Sequence, residues 1–142
     1  MADVTARPLP LVTPLTAPFW ASGADGRLRF VRCRDCGYYT HPPGPRCASC
    51  LSQHVAFEPV SGRGTVHACT VNRHTWSAGW DVPYVVAVVE LDEQPDLRLL
   101  SNVIGCAPDA VHIGQRVRVT FQHQDDIWLP LFEPDGAEPC HA

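Results

Sequence analysis

Cys33-Arg34-Asp35-Cys36-Gly37 and Cys47-Ala48-Ser49-Cys50 form two C-x2-C pairs separated by ten residues. Each pair lets two thiolates converge on one ion from a single turn, and two such knuckles complete the tetrahedron that zinc prefers. Gly37, directly after Cys36, supplies the permissive backbone such a turn favours. With Cys33, Cys36, Cys47 and Cys50 all spent on metal, no open position remains for a reactive water, so the zinc is expected to be structural. Two disulfides, or four unrelated buried thiols, are the competing readings. A redox pair of the thioredoxin type fits less well, because that motif stands once, at a strand-to-helix junction. His41 and His54 flank the pairs and could compete as ligands, although four thiolates already complete the shell.

Outward from the cysteines, three segments are expected. Residues 1–25 read as a Pro-rich arm with a short helix, 26–55 as a rubredoxin-like zinc ribbon, and 56–142 as a small barrel with a C-terminal tail. In the arm, Thr13 can cap a helix, Pro14 suits its first position, and Gly23 ends it. Pro18 fits only if the helix effectively starts near Ala17. Phe19 and Trp20 are too large for so short an element to bury alone. They dock either on the chain's own ribbon or on another protein.

Beyond the ribbon, β-rich stretches at Phe57–Val60, Gly64–Asn72, Tyr84–Leu91, Leu97–Ile104, Gln115–Gln122 and Ile127–Phe132 are separated by turn signals such as Ser61-Gly62 and Gln94-Pro95-Asp96. Five or six short strands without a convincing helix predict a mainly β chain closed as an OB-fold barrel. Val117, Val119 and Phe121 alternate with polar neighbours, as on a strand with one buried face. Tyr84 to Val89 is apolar on both faces. One face should fill the barrel, and the ribbon, an arm, the barrel's own loops or a partner should cover the other.

Composition narrows the function classes. The net charge is −4 and all 11 basic residues are arginine, which argues against a Schiff-base lysine or a lysine-dependent phosphate loop. A nucleic-acid module of zinc-ribbon and OB type would want a basic groove, which this acidic chain lacks. The first residues carry no apolar stretch resembling a signal or membrane span, and seven cysteines suit a reducing compartment, so a cytoplasmic protein is expected. Cys69, Cys106 and Cys140 remain as free thiols, the first two as small core residues. Asp125-Asp126 read as a turn rather than an acid–base pair, and His67 and His74 as surface residues. The loop from Arg73 to Pro83 is the most function-like part of the barrel, because Trp76 and Trp80 flank Ser77-Ala78-Gly79 in a polar setting.

Taken in order, these motifs resemble the zinc-ribbon plus OB-fold, acyl-CoA-associated proteins first classed as a domain of unknown function. The resemblance runs from about Pro14 to Pro134. It rests on Phe19-Trp20, Gly26-x-Leu28, the cysteine pairs with Pro42 to Pro45 between them, Gly62-x-Gly64-Thr65-Val66, Pro83 to Ala87, Ile113-Gly114-Gln115-x-Val117 and Leu129-Pro130-Leu131-Phe132. Ala48 departs from the proline many members carry after the third cysteine, which alters the stiffness of a knuckle and not its ligands. The resemblance implies an accessory subunit of a thiolase-like enzyme acting on acyl-CoA, such as an aldolase that cleaves steroid side-chain thioesters. The partner would carry the catalytic residues. Arg73, Arg116 and Arg118 are candidate contacts for coenzyme A phosphates, and Phe19, Trp20, Trp76, Trp80 and Tyr84 for the partner subunit. A free-standing acyl-CoA carrier is the remaining alternative, and it would need a deep pocket in a barrel small enough to be filled by its own side chains.

Overall fold

The computed structural model describes residues 7–76 and 80–136. Ser77, Ala78, Gly79 and Cys140 lie outside the described residues. From residue 7 an arm without regular secondary structure leads to a turn at Thr13, whose carbonyl accepts from the amides of Thr16 and Ala17 at 3.0 and 2.8 Å. A four-residue helix α1 (Ala17–Trp20) follows, with Thr16 rather than Thr13 at its N-cap. The later start places Pro18 in the first turn, where its missing N–H interrupts no helical bond. A 3-10 turn over Ser22–Asp25 then delivers the chain to the first strand.

The ribbon is a three-stranded antiparallel sheet in the order β2-β1-β3, with β1 at Arg29–Cys33, β2 at Tyr39–Thr40 and β3 at Val55–Pro59. Here the expected boundary moves. By its pattern the stretch beginning at Phe57 reads as the first barrel strand, but β3 pairs with β1 along its whole length, from Arg29 opposite Pro59 to Cys33 opposite Val55. A five-residue strand has no local mark of which sheet it joins; the zinc knuckles bring residue 55 back beside Cys33, and that proximity decides.

The barrel holds β4 (Arg63–Asn72), β5 (Tyr84–Leu91), β6 (Arg98–Val103), β7 (Arg116–Gln124) and β8 (Ile127–Pro134), closed in the order β4-β5-β6-β8-β7. This is the OB-fold connectivity, with a parallel β6–β8 contact and β4 closing on both β5 and β7. Alternation is clean on β5: Val85, Ala87, Val89 and Leu91 are buried, while Tyr84, Val86, Val88 and Glu90 are half-buried. Phe19, Leu28, Phe30 and Tyr39 join Val66, Val89, Val117 and Phe132 in a single cluster, so ribbon and barrel share one core.

Gly64 sits where β4 is paired on both sides, opposite Leu91 and Val117. A Cβ there would strike the Glu90 carbonyl oxygen and lie 2.8 Å from Val89 Cγ1. Gly64→Ala should cost about 1–3 kcal/mol of unfolding free energy through overpacking. Denaturant titration checks this; an unchanged midpoint would mean that the closure yields at this point.

Candidate functional site

Strand β1 ends on Cys33, and the chain then folds back so that the Gly37 amide donates to the Cys33 carbonyl at 3.0 Å and the Cys33 amide to Tyr38 O at 2.9 Å. Gly37 accordingly has φ of 80°, the left-handed value its lack of Cβ allows. The second knuckle repeats the design, the Leu51 amide donating to the Cys47 carbonyl at 3.1 Å and the Cys47 amide to Ser52 O at 2.8 Å. There the left-handed position falls on Leu51, with φ of 66°.

The two turns bring the four sulfurs within 4.8 Å of one another. Cys33 Sγ lies 3.6 Å from Cys50 Sγ, and Cys36 Sγ 3.5 Å from Cys47 Sγ. Disulfide sulfurs would be about 2.05 Å apart, whereas a Zn–S bond of about 2.3 Å sets the edge of a tetrahedron near ~3.8 Å. The donor set therefore fits zinc. Cys33 Sγ accepts from the amides of Cys36 and Asp35, and Cys47 Sγ from those of Cys50 and Ser49, all at 3.3–3.4 Å. These amides, Cys36 foremost, draw the Cys33 thiol down to about 6, and the Cys50 amide lowers Cys47 in the same way. The same donors favour, at both first cysteines, the thiolate form that metal binding requires.

Neither histidine joins the sulfurs. His54 Nδ1 lies 3.1 Å from Asp35 Oδ2, and the hydroxyl of Ser52 donates to the same carboxylate. This clasp ties one knuckle to the other. It is no nucleophile–base pair, because the Ser52 proton is held by Asp35 and not by His54. His41 packs against the rings of Phe19 and Phe30, each centroid 5.0 Å away, and among the described residues its buried Nδ1 has no hydrogen-bond partner. Burial pushes its pKa down to about 4.

His41 consequently stays neutral in the fold while the unfolded chain takes up a proton near pH ~6.5. Its contribution is intact above that value and is lost as pH falls from about 6.5 towards 4, since the unfolded state then binds more protons. His41→Phe should remove about 2–3 kcal/mol of acid sensitivity across this window. Urea unfolding of both proteins in zinc buffer at pH 7 and 4.5 measures it, and parallel pH curves would refute it.

The three arginines singled out in the sequence are not brought together. Arg116 and Arg118 lie on β7 beside Thr65 and Arg63, while Arg73 follows the far end of β4, roughly 25 Å along the strand. Each holds a carboxylate: Arg116 grips Asp92 with two bonds of 2.7 and 2.6 Å, Arg118 meets Glu133 at 3.0 Å and Arg73 meets Asp109 at 2.6 Å.

The aromatic candidates divide. Phe19 is 3% exposed and packs edge-on to Trp20 and against Phe30, so of its two docking alternatives the chain's own ribbon takes this ring. Trp20 stays half-buried and lines a groove on the barrel. Trp76 is 72% exposed, its indole N–H donating to Asn72 Oδ1 at 2.8 Å and its ring against His74. Trp80 packs on Tyr84 with 5.7 Å between centroids.

One further residue carries no signal in the sequence. Arg7, in the Pro-rich arm, crosses the barrel end: its Nη1 donates to Asn102 Oδ1 at 2.6 Å, and its backbone exchanges bonds with Gln124. No local pattern marks it, since its partners lie 95 and 117 residues away.

Comparison with known proteins gives this geometry a family. Residues 20–58 match the model of the ChsH2 rubredoxin-like zinc ribbon domain, and residues 57–122 that of the ChsH2 C-terminal OB-fold domain. The chain is 36% identical over 129 residues to a probable enoyl-CoA hydratase alpha subunit of Thermomonospora curvata, covering 90% of this chain and 40% of that protein. It is 38% identical to the 3-oxo-4,17-pregnadiene-20-carboxyl-CoA hydratase alpha subunit of Mycobacterium tuberculosis, covering 84% of this chain and 38% of that one. It therefore spans about two-fifths of the length of these two relatives. A DUF35 domain-containing scaffold protein of Methanothermobacter thermautotrophicus is 33% identical over 64% of this chain and 68% of its own length. Among solved structures, a chain described as Ltp2-ChsH2(DUF35) aldolase superposes with a TM-score of 0.80 at 34% identity, covering 89% of this chain and 98% of that one. Zinc ribbon, OB barrel and shared sequence together make the chain a member of the ChsH2/DUF35 family.

Proposed function

We propose that the chain is a non-catalytic accessory subunit of a thiolase-fold acyl-CoA enzyme in the cytoplasm, and specifically of a retro-aldolase that cleaves side-chain acyl-CoA thioesters, steroid side chains among them. The carrying observation is the match to the Ltp2-ChsH2(DUF35) aldolase, which takes in 98% of that chain. The hydratase names belong to proteins of which this chain matches only 40% and 38%, so their unmatched segments are as good a seat for that activity. The residue chemistry agrees: the one Asp-His-Ser grouping noted above is a structural clasp, and the thiolates are committed to metal.

In this reading ribbon and barrel steady the catalytic subunit and shape its acyl-CoA entrance, with Trp20, Trp76, Trp80 and Tyr84 turned to the partner. Arg116 and Arg118, and on a separate surface Arg73, are the proposed phosphate contacts, each exchanging its present carboxylate for the ligand. Among the described residues no helix is long and apolar enough to cross a membrane. Co-expression with a thiolase-fold protein encoded beside it should give one co-eluting complex whose large subunit cleaves the thioester only, or much faster, in company. Separate elution, with the large protein fully active alone, would refute the proposal.

A further inference from the structure

The seam between β6 and β8 is the barrel's thinnest closure. The strands run parallel and meet in one register pair, Val103 with Phe132, beside which the Ile104 amide donates to Phe132 O at 2.8 Å. Away from that pair they are bridged by a side chain, Ser101 Oγ donating to the Pro130 carbonyl at 2.6 Å. Over this gap lies a groove of about 150 Å³ whose walls include Trp20, Leu100, Leu129 and Leu131, with Arg7 at one side. Leu100 is 68% exposed, a large apolar side chain left in water at the groove's lip.

Arg7 differs from the other arginines. Arg29, Arg32, Arg63, Arg73, Arg98, Arg116 and Arg118 each have a carboxylate within 3.8 Å. Arg27, Arg34 and Arg46 are exposed to water. Arg7 is half-buried, and among the described residues its guanidinium meets a neutral amide, Asn102, and no carboxylate. Burial lowers its pKa, with Tyr84 acting in the opposite sense. A guanidinium that has lost hydration without gaining an anion is a poor end state, and a carboxylate can repair it with two parallel bonds. Gln124 holds the Arg7 backbone from both sides at 3.3 and 3.0 Å, so the cation is set in place beforehand.

We propose that this groove receives an apolar segment of a partner polypeptide bearing one Asp or Glu, whose carboxylate closes on Arg7 while its neighbours cover Trp20, Leu100 and Leu129. Charge complementarity selects the acid, and size selects a side chain: about 150 Å³ is well below the roughly 300–1,000 Å³ of sites that engulf a small molecule. The identity of the partner as the thiolase-fold subunit rests on the function proposed above. The groove chemistry does not.

Two measurements on the full zinc-loaded chain test it. In an NMR titration, acetyl-Leu-Glu-Leu-amide should shift the Arg7 Nε–H and Trp20 indole signals at concentrations at least tenfold below those needed by acetyl-Leu-Gln-Leu-amide. Arg7→Gln should erase that difference, Arg7→Lys should restore part of it, and Arg27→Gln should leave it. Equal binding of the two peptides, or an undiminished preference in Arg7→Gln, overturns the proposal, as does hexanoate binding as tightly as the acidic peptide, which would make the groove a site for free carboxylates. In the co-expressed complex, Arg7→Gln should weaken association at least tenfold and flatten its salt dependence. Wild-type affinity in that variant overturns the groove while leaving the accessory-subunit reading intact; absence of any complex removes that reading and leaves the peptide titration to decide the groove.

Discussion

Stripping zinc with a chelator, or replacing Cys47 by serine, is expected to unfold β1 to β3 as a unit. The ribbon has too little surface to bury to stand without its metal. Structural zinc in isolated fingers contributes about 10–16 kcal/mol, comparable to the ~5–15 kcal/mol that separates a whole domain from its unfolded state. Cys47 is 1% exposed, so a serine there also leaves a buried hydroxyl facing three thiolates. The damage should not stop at the ribbon, because Leu28, Phe30 and Tyr39 belong to the same core as Val89 and Phe132. Amide hydrogen exchange is the decisive readout. Protection at Phe30 to Cys33 and Val55 to Glu58 should vanish on chelation and that of β5 should fall with it. A metal-free protein with unchanged protection would show that packing alone holds the knuckles.

Phe132→Ala should be among the most damaging single substitutions in the barrel, costing about 3–5 kcal/mol. The ring is fully buried, and its residue stands at the one register pair between β6 and β8 and opposite Val119 on β7. Elsewhere around the barrel a ladder of backbone bonds resists a lost side chain. At this seam, packing carries most of the closure. Urea unfolding should show the loss, and exchange at Val103 and Ile104 should accelerate more than at β4 or β5. A cost below about 1 kcal/mol would mean that the seam collapses around the cavity.

The metal centre was legible because its chemistry is local: two turns, each closed within a few residues, present their sulfurs whatever the rest of the chain does. The β5 pattern was legible too, since period-2 alternation is a property of one strand. Other features depended on distant residues. On β4 an irregularity between Val66 and Ala68 shifts the inward positions from Gly64 and Val66 to Cys69 and Val71, which strict alternation would have placed outside. The assignment of Val55–Pro59 to the ribbon, and of Phe19 to the core, likewise depended on what folded up beside them.

The amino-acid sequence alone determined the four metal ligands, the mainly β class and the approximate extents of the strands from Gly64 onward, because spacing and alternation act over a few residues of chain. Only the tertiary structure decided which sheet β3 joins, that Arg73 stands apart from Arg116 and Arg118, and that Arg7 lies half-buried over the β6–β8 seam. Those outcomes depend on surfaces assembled from segments up to 117 residues apart, and burial and charge pairing between such segments are set by closure of the barrel rather than by any local pattern.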